Sequence, residues 1–233
     1  MKRFAAGLLL AVFVVVLLAG WIAPFRYDEQ RRDEARLSPR AGHWLGNDEL
    51  GRDRFSRLLY GARVSLLLAP AAALLSTLLA AVVGMAAGGI GGRGSGRWAA
   101  RILLLVTDLF LGLPWLFLLL AVRAALPLNV GAVESLAITT LLLGGLGWPG
   151  AARVVRASCA QLRSSNFVLQ AEDAGESQVR LLRRHFAPNL RPVLAAQFLV
   201  SVPAFLLAEA NRACWVWASA PPPVRSAPNG TCP

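Results

Sequence analysis

Charge is what this chain has least of. Only 16% of its 233 residues are charged and 56% are hydrophobic, whereas a soluble domain carries roughly a quarter charged. That supply cannot cover a soluble surface, and the mean hydropathy of +0.53 agrees. Histidine is confined to His43 and His185, and Cys159, Cys214 and Cys232 show no C-x-x-C spacing. A zinc site and a disulfide framework are therefore excluded as expectations. No Ser/His/Asp set or metal-ligand cluster points to an enzyme. No G-x-x-x-x-G-K-[ST] motif occurs, so the chain holds no nucleotide through a P-loop. The expected catalytic, cofactor and metal residues are none.

What the sequence has instead is long apolar runs and arginine. A membrane-crossing helix needs about 20 apolar residues, and five stretches approach that length. They cover about Ala5–Pro24, Val64–Gly88, Ile102–Val122, Ala132–Trp148 and Val193–Ala210. The first follows Lys2 and Arg3 and is longer than a signal-peptide core, so it reads as an uncleaved signal anchor. The expected fold is all-α, a polytopic helical bundle in a membrane. The net charge of +11 comes almost wholly from arginine, since Lys2 is the single lysine. Arginines hold loops on the cytoplasmic side and meet anionic lipid; no aromatic–basic interleaving suggests nucleic acid.

Charge also sets the expected orientation. Arg93, Arg97 and Arg101 mark one inner turn, and Arg153, Arg156, Arg163, Arg180, Arg183, Arg184 and Arg191 mark a long inner loop. The N-terminus is then cytoplasmic. The outer segment 25–63 is the exception, because it carries nine arginines against seven acids. The glycines at 88–96 lie between two membrane helices and read as a flexible turn, not a dinucleotide cradle. Gly84 and Gly88 form a small-xxx-small pair that permits close helix approach. Asp108 and Glu209 fall near the ends of apolar segments. Each is either a functional intramembrane group or one that snorkels or pairs with a loop arginine.

The long inner loop carries the most specific pattern. Ala171-Glu172-Asp173-Ala174-Gly175 precedes Ser177 and a run in which Val179, Leu182 and Phe186 recur at helical spacing with arginines between them. Gly175 permits a bend, Ser177 can cap the second helix, and Pro188 is expected to end it. On physical grounds this is a cytoplasmic amphipathic element for a partner protein or the lipid surface. Glu172, Asp173 and Glu176 weigh against lipid alone.

At these residues the chain resembles the permease subunits of bacterial ABC importers, whose signature loop runs E-A-A, three residues, glycine, then a proline at a fixed interval. Ala171, Gly175 and Pro188 keep that frame, while Gln170, Asp173 and Ala187 depart from it. His43-Trp44-Leu45-Gly46-Asn47-Asp48-Glu49-Leu50-Gly51-Arg52-Asp53 resembles the H-P-L-G-T-D-x-x-G-R-D of the dipeptide/oligopeptide/nickel type, with Trp44 and Asn47 as departures. Ser56–Arg63, Trp148–Arg156 and His185–Asn189 continue the likeness in order. The resemblance implies the type I importer fold in the bacterial inner membrane. It also implies four protein partners: a second permease subunit, two ATP-binding subunits and an extracytoplasmic solute-binding protein. The loop around Gly175 would dock an ATPase, with Glu172, Asp173, Arg180 and Arg183 as polar contacts. A scaffold protein docking some other partner is the competing reading.

The resemblance divides the chain into 1–63 (anchor and outer loop), 64–211 (permease core, with coupling loop 151–192) and 212–233. The family has six spans, and its fifth ends in a Gly-rich L-G-L-G. Here Ala208-Glu209-Ala210-Asn211 is followed by sequence too polar to span. Cys214–Ala218 must be encoded TGY-TGG-GTN-TGG-GCN. Read from each third base this gives YTG-GGT-NTG-GGC, or Leu-Gly-[Leu/Met/Val]-Gly. A frame change near codon 211 or 212 is therefore expected, and it would leave a non-functional fragment if it lies in the gene itself. Resequencing the DNA tests this; a single unbroken frame with no related frame downstream would contradict it.

Overall fold

The computed structural model describes residues 2–26, 29–89, 96–113, 117–118, 121 and 132–218. Among the described residues the chain is predominantly helical and has no β-strand. Helices α1 (Lys2–Leu17) and α2 (Ala19–Ile22) cover the first expected span. They are followed by α3 (Arg54–Gly89), α4 (Gly96–Gly112) and α5 (Ala132–Arg163). Two short helices, α6 (Asn166–Asp173) and α7 (Gln178–Leu181), flank Gly175. A π-helical turn, Leu182–Phe186, leads into α8 (Ala187–Ala218).

Among the described residues, three helices are long and apolar enough to cross a membrane: Arg54–Gly89, Ala137–Arg163 and Gln178–Ala210. At 1.5 Å per residue, the 36 residues of α3 extend about 54 Å, more than the roughly 30 Å hydrocarbon layer. Helix α4 stops at Gly112, well short of Val122. Leu113 precedes Pro114, whose ring disfavours helical backbone in the residue before it. Residues 114–116 and 119–120 of the expected third span, the Gly-rich turn at 90–95, the connection 122–131 and residues 219–233 lie outside the described residues.

Helix α3 is the centre of the bundle, with α5 and α8 packed along it and α4 alongside. Its sequence shows why. Ala69, Ala72, Ala73, Ser76, Ala80, Gly84 and Ala87 recur at helical spacing and are buried, while Leu67, Leu74, Leu78 and Val82 form an exposed apolar stripe on the other side. In lipid, apolar surface gains nothing by leaving its surroundings, so association rests on close packing of small residues. Gly84 faces Val155 and the carbonyl of Ala152; Gly88 faces Cys159 and the carbonyl of Arg156. The expected small-xxx-small pair is thus the seam between α3 and α5. Leu143 of α5 and Phe205 and Ala208 of α8 close the core around Ala69, Ala72 and Ala73.

Two expectations about helix ends are corrected. The fourth span does not stop at Trp148: α5 passes through Pro149 to Arg163. Nor does Pro188 end a helix. It sits at the second position of α8, which also passes Pro192 and Pro203. Proline lacks an N–H and crowds the carbonyl four residues back. Directly upstream the Ala187 N–H bonds to the Leu182 carbonyl, five residues back, and this widened turn lets the helix continue.

Candidate functional site

The segment after α5 folds as the sequence suggests up to its bend. Helix α6 ends in a Schellman motif, with the Glu176 N–H donating to the Ala171 carbonyl (3.1 Å) and the Gly175 N–H to the Glu172 carbonyl (3.0 Å). Closing that motif requires the left-handed region at Gly175, whose φ is +78°. A side chain there would be strained by about 1–2 kcal/mol. The new Cβ would nevertheless meet nothing within 4 Å. Ser177 occupies the N-cap position of α7 but makes no side-chain capping bond.

Beyond the bend the helix is two-faced. Leu181 and Phe186 are buried with Val155, Cys159, Val168 and Leu190 in one apolar cluster. Val179 faces out, 66% exposed. Ser177, Val179, Arg180, Arg183 and Arg184 line a shallow concavity of about 450 Å³. It is an apolar knob beside three cations. Asp173 is exposed at the end of α6. Glu172 points elsewhere: Arg163 Nη2 donates to its Oε1 at 2.8 Å. Glu176 lies 3.3 Å from His185 Nε2 and 3.9 Å from Arg184, tying the bend to the π turn. Ala171 packs at the edge of the apolar cluster, and Pro188 is exposed at the start of α8.

Asp108 is paired. Arg153 Nη2 donates to its Oδ1 at 2.6 Å, joining α4 to α5, and both side chains are 55% exposed. Next to this pair Phe110 packs on Trp148 with centroids 5.6 Å apart. Glu209 is half-buried on α8, following the buried Ala208.

The His43–Asp53 motif folds into a polar knot that spacing alone does not reveal. Asp48 Oδ1 accepts from the backbone N–H groups of Leu50 (2.9 Å) and Arg52 (2.8 Å), and Oδ2 accepts from Arg57 (2.6 Å). Asp53 Oδ2 accepts the Ser56 N–H at 2.7 Å, which caps α3. Its Oδ1 meets His43 Nδ1 at 3.0 Å, and Glu34 lies 3.4 Å from Nε2. Phe25 stacks on the His43 ring at 4.8 Å, and Arg31 sits over Phe25. The knot thereby fixes the exit of α2 against the start of α3.

The carboxyls of Asp48 and Asp53 are both held below their ordinary value. Burial pushes each up, but hydrogen bonds outweigh it, from Arg52 and Leu50 at Asp48 and from Ser56 and His43 at Asp53. A depressed carboxylate stabilises the fold fully above the unfolded value, about 3.9, and that contribution is lost as pH falls through the lower folded value. Hydrogen exchange over residues 31–57 of the full chain is therefore expected to lose protection below about pH 4, with α5 and α3 beyond its first turn unaffected. Asp53→Ala should show that loss already at neutral pH, at a cost of about 1–3 kcal/mol. Unchanged protection in the variant would contradict the assignment of the knot.

Residues 58–210 match the family described as the binding-protein-dependent transport system inner membrane component. The chain belongs to that family. It is 33% identical over 211 residues to the dipeptide transport system permease protein DppC of Bacillus subtilis (strain 168), covering 89% of this chain and 62% of that protein. It is 32% identical over 216 residues to the oligopeptide transport system permease protein OppC of Mycobacterium bovis, covering 93% and 71%. The Bacillus subtilis OppC is 30% identical over 218 residues, covering 90% and 68%. The chain thus spans less than two thirds of the first of these relatives. Family membership and the apolar helices make this permease-family chain a multi-pass membrane protein, and the family's members are membrane components of transport systems rather than enzymes. The matched region holds α3, α5 and the Gly175 bend, while the polar knot lies mostly ahead of it.

Proposed function

We propose that this chain is a membrane subunit of a binding-protein-dependent ABC importer for peptides or a related solute. In that reading the segment around Gly175 docks on a partner ATPase. The observation that carries it is the bend itself: a left-handed glycine between α6 and α7 that presents Val179, Arg180 and Arg183 outward from a buried apolar base. An exposed apolar anchor beside cations suits a groove on a soluble protein, with Asp173 available at its edge. The printed names of the relatives, dipeptide and oligopeptide permeases, favour a peptide solute.

The remaining partners follow from the same reading. They are a second permease subunit against the exposed faces of the bundle, two ATP-binding subunits, an extracytoplasmic solute-binding protein and the surrounding lipid. The N-terminus and the Gly175 bend are cytoplasmic, and the polar knot around His43 faces outward, in the bacterial inner membrane. Segments 1–63, 64–211 and 151–192 serve as anchor with outer loop, permease core and coupling loop. Closure of the ATPases would drive the docked segment and tilt the helices as rigid bodies. The test is retention of ATPase subunits by the solubilised chain, and a chain that retains none contradicts the reading.

A further inference from the structure

Arg163, the last residue of α5, holds two other elements at once. Its Nη1 donates to the carbonyl of Gly89, the last residue of α3, at 2.8 Å. Its Nη2 donates to Glu172 Oε1 on α6, also at 2.8 Å. The Arg163 and Glu172 side chains are only 20% and 16% exposed. A guanidinium can hold both acceptors in one plane, whereas an ammonium is a point charge without that fixed fork. The last carbonyls of a helix lack partners within it and favour a cation, so the fork also completes the end of α3.

The same end of α3 is touched from beyond the bend. A Cβ added at Gly89 would run into Leu182 Cδ2 in the π turn. The segment therefore grips α3 from both sides of Gly175, through Arg163 with Glu172 on one side and Leu182 on the other. The apolar cluster beneath the segment is built on α5 and the start of α8, and α3 contributes Met85 at its margin. Gly89 is the point where the segment meets the backbone of the central helix.

We propose that Arg163 is a positioning residue that carries displacement of the docking segment into α3 through the Gly89 carbonyl. This rests on the reading of that segment as the ATPase-docking element. Because α5 and α8 pack along α3, motion entering at Gly89 reaches the whole bundle.

The experiment is hydrogen exchange on the assembled importer, nucleotide-free and trapped with ADP and vanadate. In the unaltered chain, trapping is expected to change exchange in both 166–182 and 80–89. In Arg163→Gln the docking segment still responds, but the response of 80–89 falls by at least about fivefold, the low end of ordinary coupling between sites. The double variant Arg163→Glu with Glu172→Arg restores the ion pair but not the bond to Gly89, so the response of 80–89 stays lost. Its recovery, or an unchanged response in Arg163→Gln, overturns the proposal. If Arg163→Gln fails to accumulate, Arg163→Lys is measured instead, and a full response at 80–89 overturns it equally. An unaltered chain whose 166–182 segment does not respond to trapping refutes the docking reading itself. One in which that segment responds but 80–89 does not refutes the role of Arg163 alone.

Discussion

Gly88→Val is expected to unfold the bundle readily by forcing the α3–α5 seam apart. A Cβ at position 88 would lie 2.7 Å from Cys159 Cβ, 2.9 Å from the Arg156 carbonyl oxygen and 3.3 Å from the Arg156 Cα. Two of those three atoms are backbone, so no rotamer change relieves the clash and the helices must separate. Separation also strips contact from Gly84, where a Cβ would be 2.8 Å from the Ala152 carbonyl oxygen. Overpacking usually costs 1–3 kcal/mol; with backbone in the way, about 3 kcal/mol is expected, roughly a hundredfold shift. Gly145→Val is the control, because nothing lies within 4 Å of a Cβ there. Thermal melting of the detergent-solubilised chain should separate the two variants. Equal melting temperatures would contradict the assignment of the seam.

The sequence and the structure agree where the governing interaction is local. The Gly175 bend was readable because a Schellman motif involves only Ala171 to Glu176 and needs one residue at positive φ. The Gly84/Gly88 pair was readable because four-residue spacing puts both on one helix face. The helix ends were less readable. Pro188 and Pro149 look like stops, yet a proline is tolerated where the turn beside it has relaxed or packing holds the helix together. Long-range pairs were not readable at all. Arg153 reaches Asp108 across 45 positions and Arg163 reaches Gly89 across 74, and arginine is too common here for any one to stand out. Glu172 shows the consequence. Spacing offers it as a contact for a partner, and the fold turns it onto Arg163. The His43–Asp53 pair was visible as a motif, but its burial beside Phe25 and Glu34 depends on the path the chain takes after α2.

Gly175→Arg is expected to abolish ATPase docking while leaving the chain in the membrane. The strain of a non-glycine residue at φ +78° is about 1–2 kcal/mol, and open space surrounds the position, so the bundle should survive. What changes is the angle at which α7 leaves α6. Val179 and Arg180 follow Gly175 within about two turns of helix, so a small change of backbone there swings the docking face away from its groove. The added side chain also brings bulk and charge to the bend. Loss of the anchor and its cations together is worth at least about 2–4 kcal/mol of binding, comparable to removing an interface hot spot.

The most direct measurement is co-purification of the ATPase subunits with the tagged chain, expressed with its second permease partner and solubilised in mild detergent. The account predicts that the unaltered chain retains the ATPases. Gly175→Arg, present in the membrane at a similar level, should retain less than about a tenth as much. Equal retention by the two chains would contradict the claim that the Gly175 segment is where the ATPase docks.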